Sequence, residues 1–136
     1  MLVKNGQQIG TVAKVSGVPI KTIRYYEELG LLKASSRTEG GFRLFDEDVF
    51  SRLHFIKRAQ SLGLSLSEIK DFLEIYDQGK LPCDRIKISL QEKLQDIEYK
   101  IQELIQFKQE LEQLLSAWKV ENSTSTSVIC PIIEKD

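Results

Sequence analysis

The chain has 136 residues, 41% of them hydrophobic and 29% charged, with three prolines and a formal net charge of −1, so one compact domain, or a small domain with a long helix, accounts for it. No apolar run approaches the roughly 18 residues of a membrane span, and the N-terminus lacks the apolar stretch of a signal peptide, which points to the cytoplasm and away from membrane partners. The near-neutral total hides a division: residues 1–60 carry ten Lys and Arg against six Asp and Glu (+4), residues 61–136 nine against fourteen (−5). A basic head before an acidic tail suggests that the head meets a polyanion.

In chain order, Ile9 to Ser16 reads as a short helix closed by Gly17. Pro19 suits the first position of a second helix, Ile20 to Leu29, which Gly30 ends. Ile9, Val12, Ala13, Val18, Ile23 and Leu29 supply apolar surface for packing the pair across their turn, the spacing of a helix-turn-helix. Gly40-Gly41, between a polar segment and Phe42-Arg43-Leu44-Phe45, signals a small hairpin that must lean on the helices, a wing. Asp46 is expected to cap a helix running to about Leu62, with Val49, Leu53, Phe55, Ile56 and Ala59 inward. Ser65 and Glu68 form a capping-box pattern ahead of Leu66, Ile69, Phe72, Leu73 and Ile75. The run from Asp77 to Pro82 breaks that helix.

From Asp84 to about Trp118 there is neither Pro nor Gly. Leu90, Leu94, Ile97, Ile101, Leu104, Lys108, Leu111 and Leu115 recur in alternating steps of four and three, a coiled-coil seam. A helix of that length spans roughly 50 Å, too long to bury its seam within so small a chain, so self-association is expected to cover it. Residues 119–136 turn Ser/Thr-rich and end in an apolar knot, Val128 to Ile133, which reads as a loop that folds back.

The segments IGTVAKVSGVPIKTIRYYEELGLL and GGFRLFDEDVFSRLHFIKRAQSLGLSLSEI resemble the DNA-binding head of the MerR family of transcriptional regulators. The resemblance is close over residues 9–76 and looser beyond. It rests most on Thr22-Ile23-Arg24-Tyr25-Tyr26-Glu27, on Gly30-Leu31-Leu32 and on Arg43. The same positions make physical sense. Arg24, on the second helix, suits base edges or phosphate in the major groove, and the Tyr25 and Tyr26 hydroxyls suit phosphate. Thr11, Lys21 and Thr22 lie near helix starts, and Arg37 and Arg43 lie in the wing, where cations grip flanking phosphates. The resemblance implies a dimer that binds double-stranded DNA between promoter elements too widely spaced for RNA polymerase, and that distorts this DNA when an effector binds. It also implies a division into a winged helix-turn-helix at 1–76, a linker at 77–83, a dimerisation helix at 84–118 and an effector loop at 119–136.

The two cysteines, Cys83 and Cys130, are 47 residues apart without a C-x-x-C, which argues against a zinc ribbon or a disulfide scaffold. A shared metal needs sulfurs within about 4 Å, which the intervening helix forbids inside one chain and an antiparallel dimer allows across two. Cys83 and Cys130 are therefore the expected metal ligands in a mainly α fold: a winged helix-turn-helix with a β-hairpin wing and a long antiparallel coiled coil. A cysteine opening the dimer helix resembles the family's sensors of mercury, lead, cadmium, zinc or cobalt, whereas its copper(I) sensors carry serine there. The family's metal sensors usually hold another cysteine at the start of the loop, near Val120 to Ser123, and this chain has none. Two thiolates suffice for a linear soft-metal site; a fuller set would draw on Glu121, Asn122, Ser123 or Ser127. Thiol oxidation, including a Cys83–Cys130 disulfide, and an organic effector near Phe107 and Trp118 remain open, as does an architectural DNA-bending protein. One isolated histidine, no nucleophile–base pair and no phosphate loop give no sign of an enzyme.

Overall fold

The computed structural model describes residues 6–119 and 127–135, which fall into two units, residues 1–90 and 91–136. The first unit holds strands β1 (Gln7–Gln8), β2 (Ser36–Arg37) and β3 (Arg43–Phe45) with helices α1 (Ile9–Ser16), α2 (Ile20–Glu28), α3 (Asp48–Ser61) and α4 (Leu66–Asp77). Helix α5 (Cys83–Ser116) begins in the first unit and continues into the second. The mainly helical, winged architecture matches the sequence reading.

α1 stops because Gly17 takes a left-handed φ of 74° and returns its N–H to the Ala13 carbonyl at 2.9 Å. The Ser16 hydroxyl ties the turn by donating to the Val12 carbonyl and accepting from the Val18 N–H. Pro19 is the N-cap of α2, one position earlier than expected: its carbonyl accepts the first helical bond, from Ile23 N–H at 3.1 Å. Its fixed φ serves that position without requiring an N–H.

The wing is a three-stranded antiparallel sheet in the order β1-β3-β2, not a two-stranded hairpin. β2 and β3 pair Ser36 with Leu44 and Arg37 with Arg43, as the Gly40-Gly41 turn anticipates. β1 adds Gln7 opposite Phe45 and Gln8 opposite Leu44. Gly6 permits this: a Cβ there would lie 2.9 Å from the Leu44 Cβ. The added strand relieves the weakness of an isolated hairpin.

Asp46 is not the cap of α3. Glu47 occupies that position without a side-chain bond, and Asp46 instead accepts the Val49 N–H through its main-chain carbonyl. α4 has the full capping box: the Ser65 hydroxyl accepts from Glu68 N–H and the Glu68 carboxylate from Ser65 N–H, each at 3.1 Å. α1 packs on α2 and α3, and α3 on α4. Between them lies one core in which Val12, Ile23, Leu31, Phe45, Ile56 and Ile69 are fully enclosed. Phe55 packs at its margin and is only half-buried, unlike Val49, Leu53, Ile56 and Ala59 on the same helix.

α5 buries none of its residues. Ile86 and Leu90 rest against the core of the head, while Leu94, Ile97, Ile101, Leu104, Leu111 and Leu115 stand exposed along the remaining seam. Lys108, at a seam position, makes a solvent-exposed contact to Glu112 at 3.9 Å. In the second unit Ile132 is buried, and the Glu134 carboxylate accepts the N–H groups of Ile129 and Cys130 at 2.9 and 2.8 Å.

In urea unfolding, Ile56→Ala should lower the stability of the head by about 2–5 kcal/mol through the cavity it leaves. Ser65→Ala should remove about 1 kcal/mol by breaking the capping box.

Candidate nucleic-acid interface and effector cysteines

α2 divides its residues between two faces. Ile23 and Tyr26, three apart, enter the core, while Lys21, Arg24 and Tyr25, which share the opposite face, are exposed. A short helix whose inner face is buried presents its outer face at a fixed angle, which is what insertion into a major groove requires. Arg24 and Lys21 bring positive charge to this face, and Tyr25, 49% exposed, brings a hydroxyl.

Tyr26 is placed differently. Its ring is buried, burial pushes its phenol above the ordinary value, and its hydroxyl donates to Gln60 Oε1 on α3 at 2.9 Å. It holds α2 against α3 from within the core, the role that its neighbour Tyr25 does not fill. Thr22 is half-buried beside this face, and Thr11 is exposed on α1.

The wing cations are also tied. Arg37 is exposed, with Nη1 donating to the Gly41 carbonyl at 3.0 Å, which braces the hairpin turn. Arg43 forms an ion pair through Nε with the Glu27 carboxylate of α2. This pair joins the wing to the second helix of the helix-turn-helix. Glu27 had no assigned part in the sequence reading beyond the family motif, because its partner lies on a strand that only the fold brings near.

Arg52 on α3 is a further residue that sequence patterning passed over. Its side chain is 11% exposed, and it donates to the Leu31 carbonyl through Nε and Nη2 at 3.2 and 2.9 Å. It also makes a two-pronged pair with Asp77 through Nη1 and Nη2 at 2.6 and 3.2 Å. A fork with these four contacts is available to arginine and not to lysine. No amphipathic pattern could have singled it out, since a cation on a helix flank ordinarily reads as solvated surface.

Cys83 is exposed and is the first residue of α5, one position before the expected start; the Pro82 carbonyl accepts the first bond, from Ile86 N–H. It lines an apolar cavity of about 300 Å³ with Phe55, Phe72, Tyr76, Leu81 and Ile86. Cys130 is half-buried in the second unit. Its N–H donates to the Glu134 carboxylate, and its carbonyl accepts the Glu134 N–H at 3.2 Å. Both thiols are free, and the described residues of the chain contain no cluster of three or more His, Cys, Asp and Glu side chains suited to a metal. Glu121, Asn122 and Ser123, named above as supplementary ligands, lie outside the described residues. His54 is exposed on α3. No helix among the described residues is long and apolar enough to cross a membrane.

Two family models match the chain: MerR HTH family regulatory protein over residues 8–75, and MerR, DNA binding over residues 50–114. The HTH-type transcriptional regulator ZntR of Escherichia coli (strain K12) is 40% identical over 128 residues, covering 93% of this chain and 89% of that protein. The mercuric resistance operon regulatory protein of Bacillus cereus is 38% identical over 128 residues, covering 93% of this chain and 94% of that one. Among solved structures, the transcription regulator PbrR691 from Ralstonia metallidurans CH34 in complex with lead(II) is similar with a TM-score of 0.73 and 31% identity, over 93% of this chain and 96% of that chain. These relatives are transcription regulators, not enzymes, and their likeness extends through the head and the long helix alike. The chain belongs to the MerR family of DNA-binding, helix-turn-helix transcriptional regulators.

Proposed function

We propose that the protein is a metal-responsive regulator working in the cytoplasm as a homodimer on a palindromic promoter site. On this reading it activates transcription by RNA polymerase by distorting the operator when a soft or divalent heavy metal binds Cys83 of one protomer and the partner subunit's Cys130. The observation that carries the proposal is that these two cysteines, which bracket α5 in the chain, are free thiols, one of them at the helix's first residue. The named relatives support it: one regulates a mercuric resistance operon, and a structural neighbour was obtained with lead(II).

The donor chemistry fits. Two thiolates prefer a soft ion to magnesium or calcium and suffice for two-coordinate binding. Glu134 engages both the N–H and the carbonyl of Cys130, which holds the main chain that carries the thiol. When bound, the metal would supply a bridge between thiols of different protomers. The chain's own contribution is to hold those thiols on elements connected to the DNA-binding heads. Lys21, Thr22, Arg24 and Tyr25 would address the groove and its phosphates, with Thr11, Arg37 and Arg43 toward the flanking backbone and Tyr26 acting through the position of α2. Two heads related by symmetry favour a palindromic site. An organic effector in place of the metal is a second reading, favoured by the apolar cavity beside Cys83.

Three measurements test this. In sedimentation, Ile101→Lys should convert the dimer to monomer by placing a charge in the seam. In operator titrations at fixed salt, Arg24→Ala should weaken specific binding by about 1–3 kcal/mol and relax sequence preference. Titration of the reduced protein with mercury, lead, cadmium, zinc, cobalt and copper(I) should find a tightly bound ion whose binding is lost in Cys83→Ser and in Cys130→Ser alike. Binding that survives both substitutions would remove metal sensing by these thiols.

A further inference from the structure

The exit of α2 and the approach to α5 are linked by one side chain. Arg52 reaches in two directions from the middle of the head: to the Leu31 carbonyl, just past α2, and to both carboxylate oxygens of Asp77, the last residue of α4. The preceding peptide is pinned as well, the Leu31 N–H donating to the Tyr26 carbonyl at 2.9 Å. Between Asp77 and Cys83 lie only residues 78–82, and their turn is well tied. Gly79 takes a φ of 87° and donates to the Tyr76 carbonyl, and Lys80 N–H donates to the Ile75 carbonyl. Arg52 also lines the cavity that Cys83 borders.

We propose that Arg52 is a positioning residue that couples the start of α5 to the C-terminal end of α2. A rotation of α5 at Cys83 moves the end of α4 through the 78–82 turn; Asp77 carries the movement to the guanidinium, and the guanidinium carries it to the Leu31 carbonyl. The proposal rests on the effector reading for its biological use, since that reading puts the signal at Cys83. The geometry suits transmission better than stabilisation. Asp77 is 54% exposed, so its ion pair adds little to the stability of the fold, whereas a two-pronged arginine–carboxylate contact strongly restricts orientation. Coupling needs an element with two arrangements that both sites bias, and under this proposal that part falls to the end of α4 with its turn.

The first test needs no metal. In amide NMR of the full-length protein, Pro82→Ala, a perturbation at the cap of α5, should shift the Leu31 and Leu32 signals. In an Asp77→Ala background the same substitution should shift Cys83 as before and leave Leu31 and Leu32 nearly unmoved, at an unchanged melting temperature. Equal Leu31 shifts in both backgrounds would overturn the proposal. Arg52→Lys serves as a second background, because it keeps the charge and loses the fork. The second test uses mercury(II) in promoter transcription. Asp77→Ala should lower the ratio of induced to basal transcript about tenfold, within the usual range of coupling between two sites, while operator affinity stays unchanged. An undiminished ratio would count against Arg52. A wild-type protein indifferent to mercury(II) and the other metals would instead overturn the thiol reading, and the NMR result would still decide the coupling.

Discussion

The inner face of α2, Ile23 and Tyr26, is the contact on which the rest of the head depends. A helix of nine residues is not stable in water by itself, so α2 exists because those side chains are enclosed by α1, α3 and the residues that follow it. Ile23 is wholly buried, and Tyr26 adds a hydrogen bond to Gln60 that fixes the roll of α2 against α3. Rotation about the helix axis would withdraw both from the core at once. The outward direction of Lys21, Arg24 and Tyr25 is therefore set by hydrophobic burial, not by any interaction of their own.

Around this contact the polar connections are few and directed. Glu27 leaves the same helix toward Arg43 in the wing, Arg52 meets the chain just after it, and Gln60 meets Tyr26. Each joins elements distant in sequence, and each holds an element at a particular angle to α2. Their energies are modest beside the apolar core, in which burying one large side chain stabilises by about 1.5–3 kcal/mol. Their value is geometric: the core makes the head fold, and these contacts decide how wing, recognition helix and the end of α4 are aligned.

α5 obeys a different rule. Its seam beyond Leu90 meets no core of its own chain among the described residues, and the six leucines and isoleucines there remain exposed. An apolar stripe of that length on a regular helix is the surface that a second copy covers in a coiled coil. The same helix starts with Cys83 and precedes Cys130 in the chain, so the proposed dimer contact and the proposed effector site would share one element. Near Cys130, the Glu134 carboxylate gathers the backbone N–H groups of Ile129 and Cys130.

Local patterning was enough to identify every helix. Gly17 and Gly30 end the first pair, Ser65 and Glu68 start α4, and the four-three spacing marks α5, because capping, turn chemistry and helical periodicity act within a few residues. The candidate residues of α2 and the two cysteines were legible from the family motif around Arg24 and from their chemistry. Strand β1 was not, since Gln7-Gln8 has no strand character and pairs only because β3 and the small Gly6 come within reach. Capping patterns put the start of α3 one residue early, at Asp46, because Glu47 already has helical φ and ψ of −58° and −28° and such patterns do not resolve a single position there. The divergent environments of Tyr25 and Tyr26, and the pairings of Arg43 with Glu27 and of Arg52 with Asp77, depend on groups up to dozens of positions apart. The sequence by itself determined which segments are helical and which side chains are candidates for the chemistry. Only the tertiary structure decided which of them face outward and which hold the others in place, because long-range packing sets orientation and no local pattern encodes it.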